Sequence, residues 1–207
     1  MIKKDSYPMQ CYRHAVACLT LLAALLTLGG CMGGNSNGVV ADDDSATFTV
    51  QGTTAVMRGM IDRSTASAII ELMTENDQVR TISMQRVTSS AGYRELRDAA
   101  RLLRDYRLTT HVPADGYISQ DALDFYIGGW KRTAAQGATI AVGSWFDGDN
   151  YGVDLPRHNS LHYGYLTWFR ENGLPEDFYW FSLNAAPKGN ERPLTREEMV
   201  RYRVVTE

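Results

Sequence analysis

Ser119 stands at a chemically favourable place in the chain. A strand-like run over 108–113 and a turn signal at Asp115-Gly116 precede it, and the helix-like "SQDALDFYI" follows. A hydroxyl at a helix start sits among unpaired N–H groups and at the favourable end of the dipole. That setting suits a nucleophile whose intermediate carries an oxyanion. It equally suits a plain N-cap. A second feature lies upstream. In "SSAGY", residues 89–93, small residues join a strand to a helix, and such a turn makes a nest of backbone amides. The segment has neither a phosphate-loop Lys nor G-x-G-x-x-G spacing, so it does not read as a nucleotide site.

Three further groups carry side chains capable of chemistry. His158 and His162 are four apart, which places both on one helix face if the helix has begun by His158. They read as a zinc pair, as a source of a base for Ser119, or as buried structural histidines. Without a H-E-x-x-H glutamate or a nearby Cys, no metal is assigned. "DGDNYGVDLPRH", residues 147–158, matches a calcium loop at Asp147, Asp149 and Gly152. Tyr151 and His158 replace two ligands, and a solvated acidic loop fits better. Ser144 ends the apolar run of residues 139–142 but lies in no G-x-S-x-G elbow and reads as a strand-end residue. The dense aromatics Tyr163, Tyr165, Trp168, Phe169, Phe178, Tyr179, Trp180 and Phe181 suit helix packing, or a ligand or subunit surface. No cofactor is implied.

The elements that must position these residues alternate. Residues 46–61 read as one or two strands, and Ser64 as the cap of a helix carrying Ile69 and Leu72. Residues 79–84 read as a strand and 85–92 as a loop. Tyr93, Leu96, Ala99, Ala100, Leu103 and Tyr106 then repeat at three and four residues, the mark of an amphipathic helix. Strands at 108–113 and 138–145 follow, with helices after Ser119, before Gly173 and after Pro175. Thr195 and Glu198 have capping-box spacing, and "RVVTE" reads as a closing strand. The alternation gives an α/β class with largely parallel pairing.

The first thirty residues stand apart. Lys3, Lys4 and Arg13 precede an uncharged run over 15–30, too short for a membrane span of about 20 residues but suited to a secretory signal. "LGGC", residues 28–31, resembles the lipobox of bacterial lipoproteins. The resemblance implies cleavage before Cys31 and acylation of that residue, with membrane lipid as the partner of the acyl chains. Residues 31–44 would then form the lipidated Cys and a flexible Gly/Asn/Asp-rich tether, and 45–207 one domain. Cys11 and Cys18 would leave with the signal, so the domain would rely on its core without disulfides. The net charge of −3 becomes about −5 once the basic signal is removed, and no basic cluster remains to hold nucleic acid.

Taken in order, "RGMI", "SSAG", "TTHVPADGYISQDALDFYIGGWKR", "GATIAVGSW", "LHYGYLTWFRENGLPEDFYWF" and "LTREEMVRYRVVTE" resemble the Clp-protease/crotonase-like superfamily. More narrowly, they are similar to periplasmic proteins related to the Clp protease proteolytic subunit. The resemblance implies a spiral of ββα units with C-terminal helices. It implies Ser119 as candidate nucleophile and Ala91 and Gly92 as candidate oxyanion amides. It places Gly143 where the proteases carry their general base. A serine without a base is a poor nucleophile. The expected protein is therefore a membrane-anchored envelope lipoprotein with a degenerate Clp-like domain and a non-catalytic binding or assembly role. It would face the periplasm, on the outer membrane if the cell is Gram-negative, with a homo-oligomer or an envelope protein as partner. The alternative is an atypical serine peptidase or hydrolase in which Ser119 uses a substitute base such as His162. A third reading is acyl-thioester binding of the crotonase type.

Overall fold

The computed structural model describes residues 44–207. The expected signal over residues 1–30, the expected lipidation site Cys31 and the expected tether up to residue 43 lie outside the described residues. Among the described residues, no helix is long and apolar enough to cross a membrane.

The sheet begins with β1 (Thr47–Gln51), which pairs antiparallel with β2 (Thr54–Ile61). β2 runs parallel to β3 (Thr81–Ser89) along its whole length, with a register shift between Met57 and Arg58. β3 then forks. Its residues 81–83 pair with β4 (Thr109–Val112), while Arg86 and Val87 pair with β5 (Tyr117–Ile118). Each branch continues in parallel, β4 to β6 (Lys131–Ala134) and β5 to β7 (Thr139–Gly143). At the far edge β7 pairs antiparallel with β8 (Glu191–Pro193).

The helices are α1 (Thr65–Glu75), α2 (Tyr93–Asp105), α3 (Leu123–Ile127), α4 (Leu161–Glu171), α5 (Glu176–Leu183) and α6 (Arg196–Arg201). A 3-10 turn, Gln120–Ala122, leads into α3. β4-β5-α3 and β6-β7-α4 are thus successive turns of a ββα spiral, with the last helices added at the C-terminal end.

Local chemistry accounts for these elements. α2 buries Leu96, Ala99, Ala100 and Leu103, the periodic positions, against the core. Ile140, Ala141 and Val142 of β7 are all buried, as expected of a parallel strand covered on both faces. α4 ends in a Schellman motif: Gly173 at φ 78° donates to Arg170, and Leu174 donates to Phe169. Thr195 and Glu198 form the expected capping box.

Three expectations are corrected. Residues 85–89 extend β3 rather than forming a loop, because Arg58–Ile61 of β2 continue the ladder beside them. Residues 203–207 do not form a strand. Buried Arg132 donates to the carbonyls of Arg203 and Val204, which turns that segment away from an extended ladder. Ser64 stands at the N-cap of α1 without capping it; its hydroxyl donates to Asp62 instead. Gly128 directly follows α3, where the sequence allows the helix to end, with an ordinary φ of −64°. It is needed because a Cβ there would lie 2.7 Å from Ala100.

One buried ion pair ties the helices together. Arg97 of α2 donates to Asp124 of α3 through Nε at 3.1 Å and Nη2 at 2.8 Å, and through Nη1 to the Gly164 carbonyl of α4 at 2.8 Å. Its guanidinium lies 3.6 Å from the Tyr93 ring centroid. Trp168 of α4 donates to the Asp124 carbonyl at 3.2 Å. Removing one partner leaves the other charge buried and unpaired, which costs about 3–5 kcal/mol. Asp124→Asn is expected to lower unfolding free energy by about that amount in urea titrations, and Arg97→Met/Asp124→Leu to recover most of it. Equal stability of the wild type and Asp124→Asn would refute the role given to this pair.

Candidate functional site

A cleft of about 500 Å³ opens where three element ends meet. One wall is the β3–α2 turn, Ser89 to Tyr93. The second is the start of the next helical segment, with Gln120, Asp121, Leu123 and Asp124. The third is the β7 tip at Gly143 and the loop after it, from Trp145 to Asp147. Tyr165 and Phe169 of α4 and Tyr179 and Ser182 of α5 complete the lining.

Ser119 is at the edge of this arrangement rather than within it. Its N–H donates to Val87 at 3.1 Å and its carbonyl accepts from Ala122, so it holds the N-cap position. Its side chain makes no capping bond. It is only 6% exposed, and its Oγ is buried with no hydrogen-bond partner among the described residues. It does not line the cleft. The neighbouring residue that faces the cleft is Gln120, whose N–H donates to Glu191 at 2.8 Å.

Gln120 also decides what position 143 can hold. A Cβ added to Gly143 would lie 1.9 Å from Gln120 Oε1 and 2.5 Å from the Asn190 carbonyl oxygen. The first obstacle is a side chain; the second is backbone, fixed by the β7–β8 pairing. The place where the resemblance puts a general base is therefore filled from two sides.

His162 is fully buried and does not enter the cleft lining. Its Nδ1 lies 2.6 Å from the Tyr179 hydroxyl and its Nε2 lies 3.4 Å from the Leu155 carbonyl. A carbonyl only accepts, so the proton belongs on Nε2 and Nδ1 accepts from Tyr179. The Tyr179 oxygen in turn accepts from Trp145 Nε1 at 2.9 Å. Both ring nitrogens are thus engaged away from Ser119. His158 precedes the first turn of α4, so the two histidines do not share a helix face.

The two candidate oxyanion amides differ. Ala91 N–H is shared between the Ile61 carbonyl and Ser89 Oγ, each at 3.1 Å. Gly92 caps α2, lines the cleft, and its N–H has no acceptor among the described residues. Ser144 anchors the following loop by accepting from Val153 N–H at 3.0 Å. Asp147 Oδ1 accepts from the N–H groups of Asp149 and Asn150, a turn-forming role.

The remaining polar groups make the cleft acidic. Desolvation pushes the Asp124 carboxyl up, and the charge and hydrogen bonds of Arg97 oppose that. Asp121 is pushed up by desolvation and by the nearby Glu191 charge. Desolvation and its hydrogen bond to Glu191 push the Tyr117 hydroxyl up to about 12. Against these lie the rings: Trp145 stacks on Tyr165 at 5.1 Å, and Tyr165 on Tyr179 at 5.8 Å. Gln120, Asp121, Asp124 and Trp145 are the site residues that sequence reasoning passed over. The available signal was the pair of carboxylates three apart in "SQDALD", directly after the serine.

Gly143→Ala is expected to destabilise the fold by about 1–3 kcal/mol in denaturant titrations, as overpacking does. Adding Gln120→Ala should return only part of the loss, since the Asn190 carbonyl stays. Full recovery in the double variant would show that the backbone is not the barrier.

No family model and no curated protein matches the sequence. Solved structures do. An enoyl-CoA hydratase from Bacillus halodurans superposes with a TM-score of 0.50 at 11% identity, over 78% of this chain and 72% of that one. The Pseudomonas aeruginosa protein PA4980 gives a TM-score of 0.50 at 14% identity, over 80% and 77%. A mutant of the 1510-N membrane-bound stomatin-specific protease gives 0.47 at 12% identity, over 74% and 75%. With the ββα spiral and its forked sheet, the likeness to the hydratase gives the chain its fold, which is crotonase/Clp-protease-like.

Proposed function

We propose that this protein is a lipid-anchored envelope lipoprotein whose crotonase/Clp-like domain binds a ligand in the cleft without the family's peptidase chemistry. The observation that carries this reading is the closure of position 143 beside a serine whose Oγ is buried outside the cleft lining. A nucleophile needs access to substrate and a base to take its proton. Ser119 lacks the first. His162, the candidate substitute, is held by Tyr179 and Leu155. The acyl-thioester reading meets a different obstacle. A nucleotide-bearing thioester carries phosphates, and the cleft offers three carboxylates and no Lys, Arg or His. What remains is a sizeable cleft that sets aromatic rings beside polar groups, a form suited to ligand binding.

The anchor rests on "LGGC" and the apolar run before it. Acylation of Cys31 would hold the domain at the periplasmic face of a membrane, since more than one acyl chain makes a stable attachment. An envelope protein, or a second copy of the chain, is the macromolecular partner this placement favours.

Two experiments test the reading. A fluorophosphonate probe should leave the folded protein unlabelled, and Ser119→Ala should change nothing; labelling that vanishes in Ser119→Ala would establish a reactive serine and reverse the conclusion. In cell fractionation, Cys31→Ser should move the protein out of the membrane pellet. Retention in the pellet would refute the acyl anchor.

A further inference from the structure

The charge distribution in the cleft narrows the kind of ligand. Of its three lining carboxylates, Asp124 is paired with Arg97. Asp121 makes no hydrogen bond or ion pair among the described residues, and Asp147 faces solvent at the cleft mouth. Their charge is therefore uncompensated from within the lining, which holds no basic side chain. An anionic ligand would be repelled at this mouth.

The rings favour a particular kind of cation. The π-face of an aromatic side chain attracts a positive charge, most strongly where water is excluded. These rings already do so within the fold, since Arg97 lies 3.6 Å from the centroid of Tyr93 and 5.0 Å from that of Tyr165, both cleft-lining residues. Trp145 and Phe146 add partly exposed and exposed ring surface beside Asp147. A metal ion calls for a different arrangement. Hard cations need several oxygens converging at about 2–2.6 Å, and no group of three His, Cys, Asp or Glu among the described residues is placed to provide that. Carboxylates that share a cleft lining with aromatic rings fit a large, weakly hydrated charge instead.

We propose that the cleft binds an organic ammonium group, with Asp121 and Asp147 supplying the charge and Trp145 and Phe146 the π-surface. The proposal rests on the reading of the cleft as a binding site and adds the class of its ligand. The volume of about 500 Å³ leaves room for a ligand that carries the ammonium on a larger body.

Isothermal titration of the whole protein with choline and with 3,3-dimethylbutan-1-ol, its uncharged isostere, tests this directly. Choline should bind at least about three-fold more tightly than the alcohol, the margin expected of a cation–π contact at a partly exposed site. Asp121→Asn and Phe146→Ala, checked for native circular dichroism, should each weaken choline several-fold. Equal binding of the two compounds, undiminished binding by Asp121→Asn, or no binding of choline would each overturn the proposal. Tighter binding of 3,3-dimethylbutanoate would overturn the cation while leaving the cleft a binding site. Serine-dependent labelling by the fluorophosphonate probe would instead remove the non-catalytic reading beneath it.

Discussion

A guanidinium can be buried only if its donors find acceptors, and Arg97 imposes that requirement on three helices at once. Asp124 must face it from the start of α3, and the Gly164 carbonyl must face it from α4. Tyr93 and Tyr165 then flank the charge with their rings. Because the Trp168 indole bonds to the Asp124 backbone, the helix that supplies the Asp also fixes the rotation of α4. The cleft walls contributed by α2, α3 and α4 follow from this one knot. A hydrophobic replacement of the pair would preserve stability, but it would no longer dictate which faces of the helices turn toward the cleft. The pairing also sets the charge of the site. With Asp124 neutralised, the field in the cleft is left to Asp121 and Asp147.

The second constraint acts at the tip of β7. A short antiparallel partner, β8, joins Ala141–Gly143 and carries the Asn190 carbonyl against the strand end. Glu191, the first residue of β8, reaches back to the Gln120 N–H and the Tyr117 hydroxyl. The start of the 3-10 turn, the first residue of β5 and the edge of the sheet are therefore fastened together at the place where the resemblance puts a base. Gly143 is required there by close approach and not by backbone conformation, since its φ is not positive. The surrounding structure has no room for a larger residue, so the departure from the protease pattern is built into the neighbours as well as into position 143.

The legible parts of the fold are those with strong periodicity. α2 shows its buried stripe at Leu96, Ala99, Ala100 and Leu103, and β7 shows a short apolar run covered on both faces. Elements whose burial comes from neighbours were harder to see. The end of β3 contains Gln85, Arg86 and Thr88, which look like loop residues until β2 is beside them. β6 is "KRTA", with only Arg132 buried, and β8 is "ERP". β5 is two residues long. At the site, the sequence marked the helix start correctly, but the direction of each side chain depends on how β5 is seated between β3 and β7. Adjacent residues leave such a segment on different sides, so this seating decides that Gln120 and not Ser119 meets the cleft.

The aromatic wall and a catalytic histidine are competing uses of the same side chains. Trp145 donates to Tyr179, Tyr179 donates to His162, and His162 donates to Leu155, so the relay ends on a carbonyl. That chain satisfies every polar atom it buries, as an interior network must to be stable. It also holds Trp145 and Tyr179 together against Tyr165, forming the stacked surface of the cleft. Turning His162 toward Ser119 would break its bonds to Tyr179 and Leu155 and loosen the support of that surface. The same hydrogen bonds thus stiffen the cleft wall and withhold the imidazole from proton transfer.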